Sequence, residues 1–284
     1  MNKSNIKLIP PCSYQGGKQR LAKKIVDIIF EQNEINEETK FYDLCCGSGA
    51  ITLELINRGI HPSNITMVDK SDYGSFWNCI ANDEFDIKIF ENMVNKMPDK
   101  PYRKQYLLDM SKNLNKEIRE YQYLLLQSGS FGGKAIHSEN NEWKHHGFRD
   151  YWMPTETSVR RSPCNPTQPE PTVMLSRVKD ILNVCGGSVR CINGDVLEFV
   201  ENEKFKENSI IYIDPPYIDT TGYSVDLDVM EVVKVIPKYI PTYVSECNIL
   251  SDKYEFITKG KSKGNITGVV KTKRRDDLLN IFNK

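Results

Sequence analysis

The sequence contains no apolar run near the ~20 residues that a transmembrane helix needs, and its mean hydropathy is −0.50. A soluble protein is expected. Its basic start, Met1-Asn-Lys-Ser-Asn-Ile-Lys7, has no apolar stretch behind it, so no signal peptide is expected and the cytoplasm is the expected compartment. Net charge is also absent, with 38 Lys+Arg against 38 Asp+Glu, and so is the overall basic excess of many nucleic-acid-binding proteins. Eight cysteines are present, but none forms a Cys-x-x-Cys pair, and Cys45 and Cys46 are adjacent. Neither zinc-site spacing nor a disulfide framework is visible, and reduced, mostly buried thiols are expected. No internal repeat or low-complexity segment appears. What remains is a chain of 284 residues, 39% hydrophobic: one large domain, or one domain carrying a sizeable insertion.

Two stretches read as α/β. In the first, from about Ile6 to Ala81, Leu21, Ile25, Ile28 and Ile29 mark a helix beginning after Lys18. A strand follows at Phe41–Leu44, then a glycine turn, a helix over Ala50–Asn57 and a strand, Ile65–Val68, ending in Asp69. The second stretch predicts a helix over Thr172–Leu182, a strand near Val189–Ile192 and an apolar strand, Ile210–Ile213. Strands alternating with helices on this scale point to βαβ units and a largely parallel, Rossmann-like sheet.

The intervening texture differs. Leu107, Leu114, Ile118 and Tyr121 give helical spacing in one charged segment, and a stretch rich in aromatics, His and Pro follows. Such sequence suits an inserted, mainly helical and loop-rich element, which divides the chain into 1–82 plus 172–284 and an insertion at 83–171. Tyr151 and Trp152, beside Arg149, Arg160 and Arg161, suit base stacking and phosphate contact; a small satellite core accounts for them equally well. From Lys259 to Arg275 there are seven Lys/Arg, among them Lys271, Lys273 and Arg274, and no Asp/Glu. Gly260, Gly264 and Gly268 break the run, as in a loop or hairpin able to follow a phosphate backbone, although a solvated surface loop has the same composition.

Two motifs carry the chemistry. Asp43-Leu-Cys-Cys-Gly47-Ser-Gly49 takes a strand through a Gly-x-Gly turn into a helix, with Asp69 20 residues beyond Gly49. That arrangement brings backbone close to a nucleotide-like ligand and places a carboxylate for both ribose hydroxyls. A tight turn alone would use the same glycines. Thr52 stands where a dinucleotide fingerprint has its third glycine, which favours a ligand without a pyrophosphate over NAD. The second motif, Asp214-Pro215-Pro216-Tyr217, ends an apolar strand in a rigid bend. It offers a carboxylate, the Pro215 carbonyl and an aromatic ring within four residues. Transfer of a methyl to an adenine amine needs such a set. The amine lone pair is delocalised into the ring until two acceptors hold its N–H bonds, while an aromatic face holds the base. A methyl sulfonium is already electrophilic, so the chemistry requires no metal and no covalent nucleophile.

With these pieces the chain resembles the Dam-type DNA adenine-N6 methyltransferases, especially phage-encoded members. The resemblance rests on Pro11-Cys-Ser-Tyr14-Gln-Gly-Gly17-Lys18, Asp43–Gly49, Asp69, an inserted recognition region and Asp214–Tyr217, in that order, and on Phe148–Ser158 within the insertion. It implies S-adenosylmethionine as cofactor, held by Tyr14, Gly17, Lys18 (reaching the cofactor carboxylate), Asp43, Cys46, Gly47, Gly49, Asp69 and Asp195, with Asp214 bridging to the target amine. It further implies Tyr217 stacking on a flipped base, double-stranded DNA as partner, a monomer or weak dimer, and room for a partner restriction endonuclease. Cys45 stands where an aromatic is common in the family, and Tyr14 where Trp is common. Asp before Pro-Pro favours adenine over cytosine by family analogy. An amine methyltransferase acting on cytosine or RNA, and an inactive methyltransferase-like DNA-binding module, are the alternatives.

Overall fold

The computed structural model describes residues 6–150, 155–157, 168–216, 227–262 and 275–283. Among them, five parallel strands form the centre of the fold: β1 (Lys40–Leu44), β2 (Ile65–Val68), β5 (Arg190–Ile192), β6 (Ser209–Ile213) and β7 (Thr242–Glu246). An antiparallel pair, β8 (Lys253–Ser262) and β9 (Arg275–Phe282), joins through β9 to give the order β5-β2-β1-β6-β7-β9-β8. The chain runs outward from β1 through β2 to β5, then returns to β6 on the other flank. The order therefore reverses between β1 and β6, and open α/β sheets bind ligands beyond the carboxyl ends of strands at such a point.

Alternation along the strands sorts side chains to two faces. Phe41, Ile65, Met67, Tyr212 and Tyr243 face one core; Tyr42, Leu44, Val68, Ile211, Ile213 and Val244 face the other. Helices α1 (Ala22–Gln32), α2 (Ala50–Asn57), α3 (Asp72–Ala81) and α7 (Pro171–Cys185) cover the first face. Helices α8 (Val196–Asn202) and α9 (Val229–Val235) cover the second. The strand and helix expectations within both α/β stretches hold, most ends to within one or two residues. The helix expected from Thr172 starts at Pro171, whose fixed φ suits a first helical position, and runs on to Cys185.

The middle segment is helical, as expected, but not one helix where the spacing suggested one. Lys100–Ser111 is α5, a short 3-10 turn covers Lys116–Ile118, and Arg119–Gly129 is α6. Asn115 accounts for the interruption, since its side chain accepts from Glu117 N, the local bonding that competes with helix continuation. Of these helices, α6 packs against α3 and α7, α5 packs against α6, and α4 (Ile87–Asn95) packs against α6 and α7; Tyr121 to Gly129 are all buried. Phe90, Leu107, Tyr123 and Trp143 lie in the same core as Tyr73, Phe76, Trp77 and Met174. Residues 83–150 thus pack onto the sheet layer through one shared core. They include a small hairpin, β3 (His137–Glu139) and β4 (Glu142–Lys144), turned at Asn140 and Asn141, both with positive φ.

The seven described cysteines are free; Cys12, Cys46, Cys185 and Cys191 are buried. No helix among the described residues is long and apolar enough to cross a membrane. The basic run from Lys259 straddles the arms of the β8–β9 hairpin; its Lys271, Lys273 and Arg274 lie outside the described residues.

Candidate active site

Strand register assembles the site. Leu44 pairs with Val68 on one side and Ile213 on the other, and Val68 pairs with Ile192. The next residues, Cys45, Asp69, Asp214 and Asn193, therefore form one row along the carboxyl edge. Backbone bonds extend the pairing: Cys45 N to Val68 O at 2.8 Å, Asp69 N to Ile192 O at 3.2 Å, and Asp214 N to Leu44 O at 3.0 Å. Two motifs 170 residues apart in the chain meet across the switch point.

The glycine turn is braced from below. Cys45 and Gly47 have positive φ, and Gly49, at φ 74°, is the N-cap of α2. Trp77, fully buried in α3, donates its indole N–H to Gly47 O at 3.0 Å. A Cβ on Gly49 would lie 2.3 Å from Trp77 Cζ2, so that glycine is demanded by both conformation and space. Gly49→Ala should lower the unfolding free energy by roughly 2–5 kcal/mol, combining a strained left-handed residue with overpacking. Urea denaturation measures this; an unchanged midpoint would show that the turn yields to a methyl group.

Asp69, also buried, ties the turn to the next loop. Its Oδ2 accepts from Gly47 N at 2.7 Å, and its Oδ1 accepts from Ser71 N at 2.8 Å and from the Ser71 hydroxyl. Burial raises its pKa, and these three donors pull it back. Since a carboxylate has about four acceptor positions, one remains for an incoming hydroxyl, with a second only if the Ser71 hydroxyl turns away. The sequence expectation of two ribose contacts thus carries a condition.

The loop before α1 closes the other side. Gly17 N donates to Tyr14 O at 2.9 Å in a turn whose Gly16 has φ 75°. A Cβ on Gly17 would sit 3.0 Å from that same oxygen. The Tyr14 ring lies over Gly47, edge-on to Tyr73 at 5.1 Å. Lys18 is nearly buried; its ammonium donates to Gly16 O at 3.0 Å and forms an ion pair with Asp214. Desolvation pushes the Asp214 pKa up to about 6; Lys18 opposes the rise, while Asp277 and Glu246 add to it. Two buried glutamines hold the start of this loop. Gln168 accepts from Ser13 N at 2.8 Å and donates to Ser13 O at 2.9 Å, and Gln127 reaches Ser13 O and the carbonyls of Gly133 and Lys134.

Other expected site residues have visible local work. Asp43 is buried, with its pKa raised to about 7 by desolvation, and accepts from Thr52 N at 3.1 Å and Thr52 Oγ1 at 2.7 Å, bonding the first turn of α2. Asp195 N-caps α8 and pairs with Lys70 at 3.1 Å. Cys46 is buried beneath the turn, and its thiol pKa is raised by desolvation. Arg149 donates to the Gln168 and Pro169 carbonyls, at 3.4 Å each. Tyr217, Tyr151, Trp152, Arg160 and Arg161 lie outside the described residues. Trp77, Gln127 and Gln168 were not expected from sequence. Tyr73, Phe76, Trp77 and Ile80 do carry a helical i, i+3, i+4, i+7 pattern that marks α3; nothing in the sequence marks the glutamines.

An acidic edge with a glycine turn and Asp-Pro-Pro at a switch point suits an amine methyltransferase, and a family match decides the class. Residues 14–134 match the family model of the D12 class of N6 adenine-specific DNA methyltransferases. The match spans the Tyr14–Lys18 loop, the glycine turn, Asp69 and α6, and stops short of Asp214. No curated protein matches the chain. The protein is an enzyme of the kind that sequence resemblance implied, and it methylates adenine in DNA.

Proposed function

We propose that this methyltransferase takes its methyl group from S-adenosylmethionine bound along the carboxyl edge between the Tyr14–Lys18 loop, Gly47–Gly49, Asp69 and Asp195, and delivers it to adenine held at Asp214–Tyr217. The observation that carries the reading is the β1–β6 register, which brings the glycine turn and Asp214 together. The fit to such a cofactor is favourable. A left-handed glycine turn lies beneath the Tyr14 ring, and Asp69 keeps an acceptor position beside it. Once bound, the cofactor would supply a methyl on an electrophilic sulfonium. The protein's share is to prepare the amine. Asp214 and the Pro215 carbonyl accept its two N–H bonds, so the lone pair is released from the ring toward the methyl. Lys18 beside Asp214 keeps that carboxylate ionised, a role distinct from the cofactor contact implied by resemblance.

The substrate is proposed to be double-stranded DNA, with 83–171 as the recognition segment within a frame of 1–82 and 172–284, acting as a monomer or weak dimer in the cytoplasm. The seven Lys/Arg of the run from Lys259 to Arg275 suit phosphate contact. Incubating the purified protein with DNA and methyl-labelled S-adenosylmethionine, then digesting to nucleosides, should place the label on N6-methyl-2′-deoxyadenosine. Label on cytosine, or binding of NAD in place of the methyl donor, would overturn the reading. Tyr217→Phe should stay active. Tyr217→Ala should lose ~1–3 kcal/mol of base stacking, seen as weaker fluorescence of an unstacked adenine analogue at the target position.

A further inference from the structure

Asp72 lies three residues beyond Asp69 and is 4% exposed. Its carboxylate gathers four donors from the middle segment. Arg119, at the start of α6, donates Nε at 3.0 Å and Nη2 at 2.6 Å to Oδ1. Ser138, in β3, donates its backbone N–H to Oδ2 at 2.9 Å and its hydroxyl to Oδ1 at 3.0 Å. Arg119 Nη2 also reaches Ser138 Oγ at 2.9 Å, closing a triangle. The link back to the cofactor side is stiff. Ser71 bonds Asp69 and N-caps α3, and a Cβ on Gly74 would lie 2.0 Å from Asp69 O, so the first turn of α3 is pressed onto the Asp69 backbone.

We infer that Asp72 is a positioning residue that couples occupancy of the cofactor site at Asp69 to placement of the β3–β4 hairpin. The inference rests on the cofactor reading above and adds the route by which bound donor and the middle segment sense one another. A ligand hydroxyl on Asp69 displaces or fixes Ser71, which sets the first turn of α3. That turn carries the carboxylate on which Ser138 is hung. Linkage makes the effect reciprocal, so whatever orders the hairpin also favours the donor.

Hydrogen exchange on the whole protein, with and without saturating S-adenosylhomocysteine, tests this. In wild type, exchange should slow in residues 45–49 and, by roughly tenfold, in 137–144; couplings of this kind usually span about 5–150-fold. In Asp72→Asn, which keeps the shape but loses the charge and one acceptor, protection at 45–49 should persist while that at 137–144 disappears. Ser138→Ala, a milder change that leaves its backbone N–H in place, should reduce the hairpin response part-way and covers the case in which Asp72→Asn fails to fold. Equal hairpin protection in wild type and a folded variant, or protection confined to 45–49 in wild type, overturns the coupling and leaves the cofactor reading intact. No protection at 45–49 in wild type overturns both.

Discussion

Asp214→Ala is expected to reduce methylation by about 10²–10³-fold or more, the scale on which removal of one preorganised polar group from a reacting centre acts. The carboxylate matters mainly as the amine becomes nucleophilic, so the loss should fall on kcat rather than on DNA affinity. Asp214→Asn keeps the shape and one acceptor oxygen but adds a donor facing the amine, and should be nearly as inactive. Both changes also strand Lys18, whose side chain is 6% exposed against 18% for Asp214. Breaking a fully buried pair costs about 3–5 kcal/mol; partial exposure of Asp214 brings the expected loss below that range. Stability and activity can then be separated with one further variant. Asp214→Asn combined with Lys18→Met removes the stranded charge, so it should regain thermal stability without regaining turnover. Activity that recovered together with stability would show that Asp214 serves folding alone.

Four of the five parallel strands, all but β7, were legible in sequence because buried strands read as short apolar runs and the turns between them carry glycine or proline. Ile210–Ile213 running into Asp214-Pro-Pro is such a case, and the structure extends it by one residue, to Ser209. The meeting of Asp214 with the glycine turn followed from topology, since both motifs end strands at the carboxyl edge. What stayed hidden was held by long-range polar contacts. Gln168 bonds Ser13 across 155 positions, and Asp72 bonds Ser138 across 66; neither glutamine nor a lone aspartate has a local signature. The ion pair of Lys18 with Asp214 was hidden for the same reason, spanning 196 positions. The continuous core beneath the middle segment was obscured by its charged and loop-rich surroundings. Only the third dimension shows that α6, buried along most of its length, is part of the wall that supports Tyr73 and Trp77.

Lys18→Met should move the acidic limb of the kcat/KM profile to higher pH. The sign follows from the groups around Asp214. Desolvation raises its pKa from an ordinary 3.8 to about 6 even with Lys18 pulling it down, and Asp277 and Glu246 push it up. Without Lys18 the opposing influence is gone, so the folded-state pKa climbs further. An acceptor for an amine N–H must be ionised. Wild-type kcat/KM should therefore fall below about pH 6, and Lys18→Met should begin to fall at a higher pH, by about tenfold for each unit below its raised pKa. Alkali should restore most of the lost activity. Stability should run the other way. A carboxyl whose folded pKa exceeds its unfolded value contributes stability that is complete below the unfolded value and is lost as pH rises through the folded one. For Lys18→Met that loss should extend above pH 6, over the range in which its activity returns. Opposed trends of that kind are difficult to produce by general damage, which lowers activity and stability together at every pH. An acidic limb that stayed in place, or moved to lower pH, would mean that Lys18 does not hold Asp214 ionised and acts on another partner during catalysis.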